Sequence, residues 1–294
     1  MSNIIKISRF CTEDGPGIRT TIFLKGCPLK CLWCHNPESQ NQQNEISFNY
    51  EKCISCGKCI KSCANNCHQI IDGVKKYYIE DCVACGNCVN ECPTKALHIY
   101  GESMSAAEII NEIKKDMIFY ETSNGGVTIS GGEPLYQHQF TIEILKLCKE
   151  LNINTAIETS GFASLEVFKE VINYCDLVLF DIKETNEENH IKYTGVQLGP
   201  ILRNLEYLNE SKIPYIIRCP IIPGLNDRVD HFEKLNNLIN YNKNFQGIEI
   251  MPYHSLGNYK YKHLQREYLL EDIEEPDSKL IQKWKGYLNF NKTN

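Results

Sequence analysis

Cys27, Cys31 and Cys34 form a C-x3-C-x2-C array inside the run Gly-Cys-Pro-Leu-Lys-Cys-Leu-Trp-Cys-His-Asn-Pro, from Gly26 to Pro37. Three closely spaced thiolates on one loop suit an iron-sulfur cluster, because soft sulfur ligands favour that chemistry and a short loop wraps a small inorganic core. Three ligands are one too few for four irons. The fourth iron would then be an open coordination site where a substrate or cofactor binds. A structural zinc site is the competing reading, but structural zinc takes four protein ligands.

A second cysteine pattern follows. Cys53, Cys56, Cys59 and Cys63 recur 29 residues later as Cys82, Cys85, Cys88 and Cys92, with Gly57 and Gly86 in register. Two such C-x2-C-x2-C-x3-C runs are the arrangement of bacterial two-cluster ferredoxins, in which the fourth cysteine of each run ligates the other run's cluster. One auxiliary cluster is therefore assigned to Cys53, Cys56, Cys59 and Cys92, the other to Cys82, Cys85, Cys88 and Cys63. Cys92 precedes Pro93 as the pattern expects. Cys63 precedes Ala64, and a spare Cys67 lies four residues on, so the choice between Cys63 and Cys67 stays open. A zinc ribbon is disfavoured by eight repeating cysteines with no histidine in register.

The surroundings of the first loop carry a resemblance. Asp14-Gly15-Pro16-Gly17-Ile18-Arg19, then Phe23, Gly26-Cys27 and Cys34-His35-Asn36, resemble the signature of the activating enzymes of glycyl radical enzymes, within the radical S-adenosylmethionine (SAM) superfamily. The resemblance implies catalysis at the cluster of Cys27, Cys31 and Cys34, with Trp33, Cys34 and His35 flanking the cofactor. It implies that Gly131, Gly132 and Glu133 receive the amino group of methionine, and that Asp181, Ile182 and Lys183 contact SAM. Glu158, where the best-known relatives carry aspartate, and His254 would lie at the same site. Acidic strand ends there help hold the cofactor or a monovalent cation. Arg218 is a candidate for the cofactor carboxylate or, equally, for an ion pair in the barrel floor.

The implied activity is reductive cleavage of SAM to a 5′-deoxyadenosyl radical, which takes a hydrogen atom from a glycine of a partner glycyl radical enzyme. The implied cofactors are SAM and three 4Fe-4S clusters, one binding SAM and two auxiliary, with a flavodoxin or ferredoxin-type electron donor. Two alternatives compete: a radical SAM enzyme acting on a small molecule or peptide, and a non-enzymatic electron carrier. Families of the first kind often carry extra cysteines near the C-terminus; this chain has none after Cys219.

The elements that must position these residues follow from pattern. Ile18 to Lys25, Gly126 to Pro134, Asn154 to Gly161, Asp176 to Lys183, Pro214 to Cys219 and Gly247 to Pro252 read as six strands, most of them β-branched and ending in polar or glycine residues. Helices are expected between them, including one from Ser105, an N-cap with Glu108 three residues on, and others over Phe140 to Leu151 and Asp230 to Tyr241. Alternation of this kind favours a parallel sheet with helices outside and a site at the strands' C-terminal ends. The expected fold is α/β, a partial (β/α)6 TIM-type barrel with an inserted bacterial-ferredoxin-like domain. Its divisions are residues 1–47 for the first strand and cysteine loop, 48–101 for the insert, and 102–294 for the remaining barrel and a C-terminal helix around Leu280 to Tyr287. Within the insert, Asp72-Gly73 marks a hairpin over Gln69 to Ile79.

A chain of 294 residues with 42% hydrophobic and 23% charged residues is ordinary globular composition. A net charge of −6 argues against nucleic acid as a partner, since phosphate binding needs a basic surface. No apolar run approaches a membrane span, and Met1 to Phe10 lacks a signal-peptide core, so a cytoplasmic protein without a membrane partner is expected. Sixteen cysteines in such a chain indicate metal or redox work rather than disulfides. Of those outside the runs, Cys148 and Cys175 read as core, whereas Cys11 and Cys219 have no assignment.

Overall fold

The computed structural model describes residues 2–239 and 243–288; Tyr241, at the expected end of one helix, and the last residues of the 102–294 portion lie outside them. The strands in chain order are β1 (Ser2–Cys11), β2 (Arg19–Leu24), β3 (Glu45–Phe48), β4 (His68–Ile71), β5 (Val74–Tyr77), β6 (Leu97–Tyr100), β7 (Glu102–Met104), β8 (Gly126–Gly131), β9 (Asn154–Thr159), β10 (Leu177–Asp181), β11 (Tyr215–Ile221) and β12 (Phe245–Pro252). Eight of them form one sheet in the order β12-β11-β10-β9-β8-β2-β1-β7. All six strands expected from the sequence are present, and they run parallel to one another. Helices connect β8 through β12, as right-handed parallel crossovers require.

Each parallel strand alternates its side chains between two faces. Ile22, Val127, Ile129, Ile157, Val178, Phe180 and Ile217 enter the main core with helix residues such as Ile109, Ile144, Phe168 and Leu205. Hydrophobic burial on that scale is the dominant stabilising term. Cys148, Cys175 and the previously unassigned Cys219 are buried in the same core. The other face is more polar and carries Thr128, Glu158, Asp181 and Arg218. Ser105 closes the expected capping box: its hydroxyl accepts from Glu108 N at 3.2 Å, and Glu108 Oε2 accepts from Ser105 N at 2.8 Å. At the far end, helix Ser278–Gly286, capped by Asp277, seats Trp284 in the main core.

Two strands of this sheet were not legible in the sequence. β1 and β7 extend the sheet antiparallel beyond β2, so the six-stranded parallel set gains a two-stranded edge. The burial of β1 is intermediate along most of its length, which blurs the alternation by which a strand is read. Between β2 and β8, residues 45–100 carry two sheets of their own, β3 with β6 and the hairpin β4–β5. The hairpin turn falls on Asp72 and Gly73, both with positive φ, as a two-residue type I′ turn demands. A small separate core of Ile46, Phe48, Tyr77, Ala96, Leu97 and several cysteines packs this segment.

Candidate active site

The cysteine loop leaves β2 at the C-terminal edge of the sheet and is held from three sides. Cys27 N donates to the Gln40 carbonyl at 3.0 Å, while Lys30 N and Leu32 N donate to the carbonyls of Thr194 and Tyr193 at 2.8 and 3.0 Å. The segment after β12 closes the third side. Tyr261 Oη donates to the Cys34 carbonyl at 2.9 Å, and Lys260 Nζ reaches Asn36 Oδ1 at 2.8 Å and Glu38 Oε1 at 2.6 Å. The ring of His35 stacks on His254 with centroids 3.6 Å apart, and its Nε2 lies 3.0 Å from the His254 carbonyl.

A cavity of about 350 Å³ opens at this edge. Cys27, Cys31, Trp33, Cys34, His35, Gly131, Gly132, Glu133, Glu158, Asp181, Lys183 and His254 all line it, which brings twelve residues chosen from the sequence to one place. Burial pushes the Cys31 thiol up to about 12 and raises Cys27 and Cys34 as well. Such thiols give up their protons readily only to a bound metal, so three of them on one wall suit a metal centre.

Glu133 is 1% exposed and receives four hydrogen bonds, from Leu135 N, Thr159 Oγ1, Ser160 N and Ser160 Oγ at 3.1, 2.5, 2.9 and 2.6 Å. It ties the loop after β8 to the end of β9. Thr159, Ser160 and Ser130 also face the cavity and were missed as site residues. The signal for the first two was the polar end of the third strand.

The glycines also have a packing reason. A Cβ at Gly131, whose φ is +103°, would lie 2.3 Å from Leu24 N, and one at Gly132 would lie 2.2 Å from the Gly26 carbonyl oxygen. The absent side chains make room for the neighbouring strand and the cysteine loop; Gly132 N and Glu133 N then donate to Leu24 O and Gly26 O at 2.8 and 2.9 Å.

Two expected residues do not line the cavity. Ile182 follows Phe180 into the main core, because strand alternation sends Asp181 and Lys183 to the cavity face and the residue between them to the other. Arg218 is 3% exposed and is already committed: it pairs with Glu158 at 2.7 Å and Glu249 at 3.1 Å, and donates to the Glu13 carbonyl. It forms the floor ion pair that the sequence offered as one of its two roles. Burial opposes charge on Glu158, but Arg218 and Ser130 outweigh it and hold the carboxyl below its ordinary range. Asp181 sits 2.9 Å from Lys183 Nζ, and burial raises its carboxyl.

Residues 21–238 match the model of the radical SAM superfamily. The chain belongs to that superfamily. Within it, the chain belongs with the activating enzymes of glycyl radical enzymes. It is 41% identical to the choline trimethylamine-lyase activating enzyme of Oleidesulfovibrio alaskensis, over 91% of this chain and 88% of that one. It is 40% identical to the trans-4-hydroxy-L-proline dehydratase activating enzyme of Clostridioides difficile, over 98% and 97%. A radical SAM methyltransferase from Sphaerobacter thermophilus, 11% identical, shares the fold with a TM-score of 0.52 over 97% of this chain and 73% of that one. No helix among the described residues is long and apolar enough to cross a membrane.

The radical SAM chain has two further cysteine-lined cavities, both in residues 45–100. Cys53, Cys56, Cys59 and Cys92 line one; Cys63, Cys67, Cys82, Cys85 and Cys88 line the other. Four of these sulfurs accept backbone N–H groups in matched pairs. Cys53 and Cys82 accept from Ser55 and Ala84 at 3.4 and 3.3 Å, and Cys63 and Cys92 from Cys67 and Ala96 at 3.3 and 3.2 Å. Cys63 thus has the environment of Cys92, whereas Cys67 stands where Ala96 does.

Proposed function

We propose that this chain is a glycyl-radical-enzyme activase built as a partial (β/α)6 barrel, with residues 48–101 as a two-cluster ferredoxin-like insert between portions 1–47 and 102–294. The observation that carries the activity is the single cavity in which Cys27, Cys31 and Cys34 meet Gly131, Gly132, Glu133, Glu158, Asp181, Lys183 and His254. Cys27, Cys31 and Cys34 would hold there a 4Fe-4S cluster that would supply the electron for reductive cleavage of the SAM C–S bond, giving methionine and the 5′-deoxyadenosyl radical that would take a hydrogen atom from the partner's glycine.

The chain's residues orient and exclude. Cys27, Cys31 and Cys34 would hold the cluster, and the loop after β8, fixed by Glu133, presents its backbone beside them. Trp33 and His35 flank the cofactor, and Asp181 and Lys183 form the polar wall at the end of β10. Ile182 acts only through its backbone, its amide donating to the Arg218 carbonyl at 2.8 Å. Asp181 and Glu158, which face Lys183 and Arg218, are the carboxylates that would hold a monovalent cation beside SAM.

In the insert, one cluster takes Cys53, Cys56, Cys59 and Cys92, and the other Cys82, Cys85, Cys88 and Cys63. The matched N–H bonds to Cys63 and Cys92 support Cys63 over Cys67. Exposed Cys56 and Cys85 mark the faces where a flavodoxin or ferredoxin-type donor would deliver electrons.

The test is electron paramagnetic resonance on the reconstituted, reduced protein with SAM and separate glycyl radical enzymes. Choline trimethylamine-lyase and trans-4-hydroxy-L-proline dehydratase come first, after the relatives named for them. A stable glycyl radical with one partner supports the reading. Formation of 5′-deoxyadenosine with no protein radical across the panel would favour a small-molecule or peptide substrate.

A further inference from the structure

Between the two cysteine cavities of residues 45–100 lies a buried polar pair that the proposed reaction does not use. Lys75, on β5, lines the cavity of Cys53, Cys56, Cys59 and Cys92; His68, the first residue of β4, lines that of Cys63, Cys82, Cys85 and Cys88. The two are 7% and 1% exposed, and Lys75 Nζ lies 2.8 Å from His68 Nδ1. An ammonium has donors and no acceptor, so Nδ1 must supply the lone pair, and a neutral imidazole then carries its proton on Nε2. That Nε2 is buried without a partner. A buried donor left so costs about 1–3 kcal/mol. With Nδ1 turned to Lys75, Nε2 is the ring nitrogen left for the sulfur-lined cavity.

The repeat makes the placement sharper. Shifted by the 29-residue period, His68 stands where Leu97 stands, and Leu97 lines the other cavity as a buried apolar residue. One cavity therefore has an imidazole where its twin has a leucine, while the twin has Lys75, from the hairpin, in its wall.

We propose that the Lys75–His68 pair makes the two auxiliary clusters electrochemically unequal: His68 Nε2–H hydrogen-bonds to sulfur at the Cys63, Cys82, Cys85, Cys88 site, and the Lys75 charge faces the Cys53, Cys56, Cys59, Cys92 site. Hydrogen bonds to the sulfurs and added positive charge both raise a cluster's reduction potential. Neither residue gains or loses an electron; each sets the potential at which its cluster takes up or releases one. This rests on the reading that both sites hold clusters.

The experiment is a spectroscopic redox titration of the reconstituted full chain, with iron and sulfide content measured alongside. His68→Leu copies the twin site and lowers the potential of one auxiliary cluster, changing its reduced-to-oxidised ratio at fixed applied potential by about tenfold, or 59 mV for one electron. Iron content stays at the wild-type value. Lys75→Met lowers the potential of the other cluster, and His68→Gln, which keeps an N–H donor, stays closer to wild type than His68→Leu. Unchanged auxiliary potentials in both His68→Leu and Lys75→Met overturn the inference. So does loss of a cluster's iron in His68→Leu, which would make His68 a ligand. If His68→Leu does not fold, Lys75→Met and His68→Gln still decide. Wild-type protein with iron for a single cluster would instead overturn the cluster reading itself.

Discussion

The loop of Cys27, Cys31 and Cys34 and the two four-cysteine lobes are built on opposite principles. The loop takes its shape from distant elements: the β8 loop beneath it, the helix Glu187–Thr194 beside it, and Tyr253 to Arg266 over it. The cysteine turns of the lobes are set by neighbours in sequence, with N–H···S bonds spanning two or four residues and Gly57 and Gly86 in the left-handed region ahead of short helices, and only the fourth sulfur of each cavity comes from the other run. Cys56 and Cys85 are exposed, whereas Cys31 is buried. Chemistry that must exclude water needs walls from the whole fold; on the proposed reading the lobes exchange electrons, for which an exposed edge suffices.

The largest expected effect breaks this comparison at its centre. Cys31→Ala abolishes 5′-deoxyadenosine formation with any reductant, because no sequence neighbour replaces its sulfur. Cys56→Ala combined with Cys85→Ala removes turnover with a flavodoxin or ferredoxin-type donor but keeps cleavage with a small chemical reductant, measured as 5′-deoxyadenosine. Equal loss with both reductants would make the lobes structural.

A second pair of predictions concerns stability. Arg218→Ala leaves Glu158 and Glu249 facing each other in the sheet floor and costs about 3 kcal/mol, read by denaturant unfolding. Glu184 is buried against Arg228 and His231, which outweigh burial and hold its carboxyl down at about 2. A depressed carboxyl stabilises above its unfolded value near 4.5 and loses that contribution as pH falls through about 2. The fold therefore loses roughly 3 kcal/mol across that window, and Glu184→Gln flattens the dependence.

The smallest effect sharpens the clamp. Tyr261→Phe removes one hydrogen bond to the Cys34 carbonyl, costs about 1 kcal/mol and raises the KM for SAM, with cluster iron unchanged. An unchanged KM would mean that the C-terminal segment only packs and does not position the loop.

Sequence alone determined whatever depends on residues close along the chain. The three-cysteine loop, the 29-residue repeat, the Asp72-Gly73 turn, the Ser105 capping box and the six parallel strands are all local patterns, set by ligand spacing, backbone conformation and side-chain alternation. Tertiary structure decided what depends on distant partners. It sent Arg218 to Glu158 and Glu249, turned Ile182 into the core, set Gly131 and Gly132 against the backbone of Leu24 and Gly26, and brought Lys75 to His68 between two sulfur-lined cavities. Each of these outcomes is fixed by which strand or hairpin lies alongside, and a side chain's type does not encode the neighbour that the sheet will give it.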